Sequence, residues 1–406
     1  MNGKRARLYT LLSLALGFAS VGSSSPQEPR TPFPGSIKEL PVQAAGAKGA
    51  AAITRTVLTA DEASSRMTFE VGLRMRNFDE MQARIARGER ISDAEKQARY
   101  FPLAADHDRV VAWLKSQGLE VTRTDADHLG IFGRGTVEAV AGAFHVAFAR
   151  VATKDGEFTS AVTAPSVPSE LSALVRGIHG LQPHIRRRAL LNMPALQPNV
   201  QVNLSGYLPA QLAQAYNANG LNVTGAGQTI AIYALAYPQN SDLTAFWSEA
   251  GVTQSVSNVT TVDVAGGPAS SPSSSSVEEA ALDAEWASSL APGVKLRIYG
   301  ANETDPAEND EVLQQVYADL PSQPAMNVFS ISIGGNELEV PPDYLVLEAQ
   351  YMANLASAGM TVLVASADSG ATADGVVQTS YPTSDPDVTG VGGTTLTLDS
   401  SGNVTS

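Results

Sequence analysis

The chain reads as an α/β protein built on a doubly wound parallel sheet, with a smaller α+β unit ahead of it. Three observations predict this. Its 406 residues, 43% hydrophobic and 17% charged, exceed one typical domain and supply enough apolar material for packed cores. Before about residue 184, short alternating runs are interleaved with amphipathic ones, which suits helices on an antiparallel sheet. After residue 204, nearly continuous apolar runs alternate with helical segments, which suits parallel strands buried on both faces.

The elements follow in order. A basic patch (Lys4, Arg5, Arg7), an apolar run from Leu8 to Val21 and the small residues Gly22 to Ser25 read as a secretory signal peptide over 1–23. The run is shorter than the roughly 20 residues a spanning helix needs, so the mature protein is expected to be secreted, extracellular or periplasmic, with no membrane span. Residues 24–64, rich in Pro, Gly, Ala and Ser, are expected to form a flexible lead-in. Within 65–183, MTFEVGLRM alternates like a strand, and NFDEMQARIAR and DHDRVVAWLKSQG have helical spacing, the latter stopped by Gly118. LEVTRTD and HLGIFGRG read as strands, TVEAVAGAF as a helix capped by Thr136, and HVAFARVAT as a strand. Residues 184–203, with the tribasic run Arg186 to Arg188 followed by prolines, read as an exposed linker and a processing site. Over 204–406, strands are expected at 228–235, 294–300, 326–335 and 361–370, and helices around 241–250, 277–290, 308–319 and 341–358.

Charge is divided along the chain. Residues 190–406 hold two basic residues, Lys295 and Arg297, against 22 acidic ones, for a net charge of -20; residues 1–189 hold 25 basic and 19 acidic, for +6. The halves should attract at neutral pH, and the attraction should fade as carboxylates protonate near their ordinary pKa of about 4. Nucleic acid is an unsuitable partner for the acidic half. There is no cysteine, which excludes thiolate nucleophiles and thiolate metal sites. All five histidines precede residue 189, so acid–base chemistry after that point must use carboxylates.

Two places could carry such chemistry. In VEEAALDAEW (277–286), Glu279 and Asp283 are four apart and share one helix face, while Glu278 and Glu285 share another. Leu282, Trp286 and Leu290 form an apolar stripe at the same period. Like charges at that spacing repel, which disfavours them as mere decoration, although a solvated acidic face is the plain alternative. Asp368, in VLVASADSG, stands where a buried strand meets its loop, a position suited to binding or catalysis and also to capping a turn.

Taken with their surroundings, these stretches resemble the sedolisins, or serine-carboxyl peptidases. EAALDAEWASSLAPGVKL looks like the family's E-x-x-x-D helix, SGYLPAQLAQAYN and GQTIAIYAL like the start of its catalytic domain, and SADSG with YPTSDPDVTGVGGTTL like its GDSG element and the run after it. Residues 65–183, ending in SVPSELSALVRGIHGL, resemble its activation prodomain. The resemblance implies a subtilisin-like sheet over 204–406, a ferredoxin-like prodomain acting as an intramolecular inhibitor, and hydrolysis of protein or peptide substrates in acid. It implies Glu279 as general base, Asp283 as the acid that orients it, and Asp368 as a protonated donor to the oxyanion. Three departures stand out, of which the first is that GDSG reads ADSG and the second that Ile333 and Ala234 stand where the kumamolisin-type branch carries a Trp and an additional Glu. The third is larger, because the family's nucleophile lies in a GTSASAP-like motif downstream of VGGT, and its calcium site later still. The resemblance therefore implies that the catalytic serine, the rest of the sheet and the calcium loop lie beyond residue 406. The other reading is a catalytically inactive secreted protein with a binding role or none. A histidine-based subtilase is excluded by the lack of histidine after His184.

Overall fold

The structure, a computed structural model, describes residues 28–39, 54–153, 155–189, 206–221, 223–368, 370–373, 376–399 and 403–405. The expected signal peptide, most of the 184–203 linker and Ser369 lie outside the described residues. Parts of the expected lead-in form ordered elements, because their partners are distant in sequence. β1 (Arg30–Pro32) pairs antiparallel with residues 166–168, and the turn after it buries Phe33 and Ile37. β2 (Thr54–Thr56) pairs with residues 150–152, and α1 (Ala60–Ser64) opens with a capping box between Thr59 and Glu62.

The first unit continues through β3 (Arg66–Leu73), α2 (Phe78–Ile85), α3 (Asp93–Arg99), α4 (Ala104–Ser116), β4 (Glu120–Thr124), β5 (Gly130–Thr136) and α5 (Val137–Phe144). It ends with β6 (Phe148–Thr153), β7 (Gly156–Ala161), β8 (Ser166–Pro168) and β9 (Val175–His179). After α4, Gly118 turns the chain at φ +76°, and α5 starts from Thr136, whose hydroxyl accepts the Ala139 N–H at 3.1 Å. Four strands stand in the order β4-β5-β3-β9, all antiparallel. Val110 and Leu114 of α4 and Val140 and Phe144 of α5 pack on Phe69, Val71 and Ile131, covering one face.

The linker carries β10 (Arg188–Ala189), and the second unit opens with α6 (Pro209–Ala215). It then alternates β11 (Thr229–Ala234), α7 (Asn240–Glu249), β12 (Val259–Asp263), α8 (Ser274–Leu290), β13 (Lys295–Gly300) and α9 (Pro306–Asp319). β14 (Met326–Ile331), β15 (Ile333–Asn336), α10 (Pro342–Ala358) and β16 (Thr361–Ala365) follow, and then the short β17 (Thr372–Ala373), β18 (Val376–Val377), β19 (Ser380–Tyr381) and β20 (Thr389–Val391). Six strands form one parallel sheet in the order β12-β13-β11-β14-β16-β20. β11 shows why its run is apolar throughout: Ala231 and Tyr233 enter the core with α9 and α10, while Ile232 and Ala234 enter the core with α7 and α8. The chain leaves β11 toward β12 on one side and leaves β14 toward β16 on the other. The crevice beyond the ends of β11 and β14 is therefore the topological switch point, where such sheets bind ligands.

Helix α10 joins the two units. It lies on the other face of the antiparallel sheet along a row of glycines, where Gly72 pairs with Gly130 on one side and Gly177 on the other. A Cβ at Gly72 would strike the Leu347 side chain, one at Gly130 the Tyr351 hydroxyl, and one at Gly177 would lie 2.9 Å from Asp343 Cβ. The missing side chains let the helix approach the sheet backbone. Gly72→Ala should overpack this seam and destabilise the chain by about 1–3 kcal/mol. A urea midpoint equal to that of the unsubstituted chain would contradict this packing.

Ion pairs cross the seam with the signs the divided charge predicts: Arg123 to Glu311 at 4.0 Å, Arg176 to Asp343 at 3.9 Å, and Arg187 to Glu348. Their response to acid differs from the sequence expectation. Burial pushes Asp127 and Glu311 up to about 7, and burial with the neighbouring Asp310 drives Glu70 well above the carboxylate range. A carboxyl raised in the joined state favours joining below its ordinary pKa of about 4 and loses that contribution as pH rises through its raised value. Two seam carboxyls are held low despite their burial and respond in the expected direction, Asp310 by His179 and Asp93 by Tyr317 and Lys96. Desolvation of the others opposes simple loosening in acid.

Candidate active site

Helix α8 carries the acidic stretch to the switch point. Its N-cap is Ser273, whose hydroxyl accepts the Ser276 N–H at 3.2 Å, and the Glu303 carboxylate accepts hydrogen bonds from the hydroxyls of both serines, at 3.0 and 2.6 Å. Ala280, Ala284 and Ser288 form the face against the sheet, and the Trp247 indole donates to Ser288 Oγ at 2.8 Å. Glu279, 8% exposed, lies on that inward face, with Asp283 one turn later. The apolar stripe expected from the spacing is not the core face: Leu282 is 37% and Leu290 51% exposed, while Trp286 packs beside Phe246. Small residues win the inward position because they let the helix lie close to the sheet.

Asp283 accepts a hydrogen bond from the Ser332 hydroxyl at 2.7 Å, and its Oδ2 is buried with no hydrogen-bond partner. Burial pushes its pKa up to about 7, against the lowering effect of that hydrogen bond. Glu285, on the other face, also rises to about 7 through burial and the nearby Asp242, whereas Glu278 is exposed. Glu279 and Asp283 line a small, partly open cavity with Ser276, Ala280, Tyr233, Ala234, Leu235 and Ile333. Ala234 and Ile333, at the two positions where the kumamolisin-type branch carries an additional Glu and a Trp, thus belong to this cavity and make their part of its wall apolar.

The last lining residue, Ala189, comes from the linker. β10 pairs antiparallel with β15, Arg188 opposite Gly334 and Ala189 opposite Ile333, which draws the linker backbone across the cavity as an added strand. The tribasic run is only partly exposed: Arg188 is exposed and pairs with Asp155, Arg186 is half-buried 5.6 Å from the Phe158 ring centre, and Arg187 is buried. Asp368 lies three residues past the end of β16, exposed, on the same edge of the sheet and after Ala367 at φ +70°. Sequence reasoning missed Ser332 and the docked linker, because neither a hydroxyl after a strand nor a two-residue pairing leaves a periodic signal.

Residues 56–183 match the family described as "Pro-kumamolisin, activation domain". Over 370 residues the chain is 30% identical to kumamolisin of Bacillus sp. (strain MN-32), an alignment covering 85% of this chain and 64% of kumamolisin. Over 325 residues it is 27% identical to sedolisin of Pseudomonas sp. (strain 101), covering 75% of this chain and 54% of sedolisin. A solved structure of Pseudomonas sedolisin, a serine-carboxyl proteinase complexed with two molecules of pseudo-iodotyrostatin, is 26% identical with a TM-score of 0.42, covering 49% of this chain and 57% of that one. The chain spans 64% and 54% of the lengths of these two curated relatives.

Proposed function

The chain belongs to the sedolisin family and carries its activation domain, and from that premise we propose that it is the precursor of an acid-acting serine-type endopeptidase. The observation that carries the reading is the inward pair Glu279 and Asp283 at the switch point, in a cavity crossed by an added strand of the linker. In this reading the nucleophile is a serine in a segment after the VGGT element, beyond residue 406. Glu279 takes the serine proton as Oγ attacks the scissile carbonyl and returns it to the leaving amine, while Asp283 holds Glu279 in position. Asp368 serves as the donor to the oxyanion of the tetrahedral intermediate. The raised Asp283 supports this division of roles, since it keeps one carboxyl of the pair neutral below about pH 7.

The first unit serves as the intramolecular inhibitor, with Arg188 and Ala189 lying where a peptide substrate would add to β15. Its strand order, first strand central and last at the edge, supports the ferredoxin-like reading. Secretion rests on the leader over 1–23, and no helix among the described residues is long and apolar enough to cross a membrane. The calcium implied by the family belongs to the later segment. Glu70, His179 and Asp310, the grouping of metal-type side chains found among the described residues, contain an imidazole and too few oxygens for it.

Because the arginines before residue 189 are engaged, the maturation cut is expected between residues 190 and 203. Acidifying a chain that carries the serine segment and sequencing the new N-terminus tests this. A cut inside residues 65–183, or none in acid, would contradict the reading.

A further inference from the structure

A second cluster of ionisable groups lies in the seam, made of residues that do not line the cavity. Glu70 of β3 and His179 of β9 are paired residues on adjacent strands, and Asp310 projects toward them from α9 of the second unit. Both carboxylates are fully buried. Each has one oxygen engaged by a tyrosine hydroxyl: Tyr351 donates to Glu70 Oε1, and Tyr344 to Asp310 Oδ1 at 2.9 Å. The other oxygens, Glu70 Oε2 and Asp310 Oδ2, have no hydrogen-bond partner, nor has His179 Nδ1. These three atoms lie within 4.8 Å of one another. Nδ1 is 3.1 Å from Asp310 Oδ2 and 3.9 Å from Glu70 Oε2, and the shorter approach is not aligned as a hydrogen bond.

We propose that Glu70, His179 and Asp310 form a site for a divalent transition-metal ion of the zinc class, which ties the first unit to the second. Ligand atoms about 2.0–2.2 Å from tetrahedral zinc lie roughly 3.3 Å apart, and the two separations given above bracket that spacing. One nitrogen and two carboxylate oxygens suit zinc or cobalt rather than calcium. The tyrosine hydroxyls behave as outer partners that aim each carboxylate's free oxygen inward, and Tyr344 stacks on the His179 ring at 3.6 Å, which fixes its plane. Charge also balances, because a divalent cation neutralises two carboxylates. Arg187, a buried base whose charge reaches Asp310, is paired with Glu348, and Glu311 and Glu348 are further carboxylates whose charges reach the cluster. Since the ligands must be deprotonated to bind, such an ion would also weaken the seam in acid, which the desolvated carboxyls alone do not.

The site stands or falls independently of the peptidase reading. The full chain, without an affinity tag, is titrated with Co2+ near neutral pH, once as folded protein and once during refolding, and the visible spectrum is recorded. A single equivalent should give the strong bands of a low-coordinate ion and be displaced by Zn2+, and Zn2+ should raise the Tm. His179→Gln and Asp310→Asn should each abolish the bands and the Zn2+ shift, while His145→Gln keeps both. If the two variants fail to fold, the unsubstituted chain decides. No bands in either preparation, with a Tm indifferent to Zn2+, would mean a cluster held by a shared proton and would overturn the proposal. Bands surviving both substitutions would place the ion elsewhere, for instance at His107 and His128, whose rings lie 4.8 Å apart, and would overturn it equally.

Discussion

Glu279→Gln should lower peptide cleavage in acid by about a thousandfold or more in a chain carrying the serine segment, with the loss in kcat rather than KM. Glutamine keeps the shape of the side chain and its ability to accept a hydrogen bond, but cannot take the serine proton. The residue sits against Ala280 and the ends of β11, where a neutral isostere introduces neither volume nor charge, so folding should be retained. Asp283→Asn should cost less, because an amide resembles the neutral carboxyl that its raised pKa favours in acid. Rates measured on one peptide at about pH 4 check both. If Glu279→Gln stays within tenfold of the parent, Glu279 is not the base.

Arg187→Ala should be the most damaging single change in the seam. Arg187 is 7% exposed, pairs with the fully buried Glu348, donates to the Tyr344 hydroxyl at 3.0 Å, and lies 5.9 and 6.0 Å from the Tyr344 and Tyr381 ring centres. Removing it strands the Glu348 carboxylate, at a cost of about 3–5 kcal/mol. Arg187→Met with Glu348→Leu should cost much less, since both charges leave together. The pH dependence follows from the stranded group. Without its arginine, Glu348 keeps the raising effects of burial and Asp310 against the smaller lowering effect of Tyr344, so it will bind a proton more readily, and the penalty of the single variant should shrink as pH falls. Urea midpoints at neutral and acid pH measure this. Equal losses in the single and double variants would show that Arg187 acts through packing alone.

The parallel sheet was legible in the sequence because its interior strands must be apolar on both faces. The runs at 228–235, 294–300, 326–335 and 361–370 all contain strands of the sheet. β12 and β20, at its two edges, were not legible, since an edge strand needs no continuous apolar run. The i,i+4 spacing of Glu279 and Asp283 placed them together on one face, but it could not say which face is buried. That was settled by Ala280, Ala284 and Ser288, whose small volumes bring α8 onto the sheet. The seam left a different signal in Gly72, Gly130 and Gly177. Glycines inside strands mark a close approach of something else, and their register shows that something to be one helix. Glu70, His179 and Asp310 are separated by more than a hundred residues at each step, and only the joined fold brings them together.

The central claim is that carboxylates alone carry the acid–base chemistry, and the dependence of kcat/KM on pH tests it most directly. For the chain carrying its serine segment, the account predicts cleavage in acid that falls as pH rises toward about 7, where Asp283 ionises and the protonated carboxyls are lost. A rate that instead rose through neutrality to an alkaline plateau, as an imidazole base would give, would contradict it.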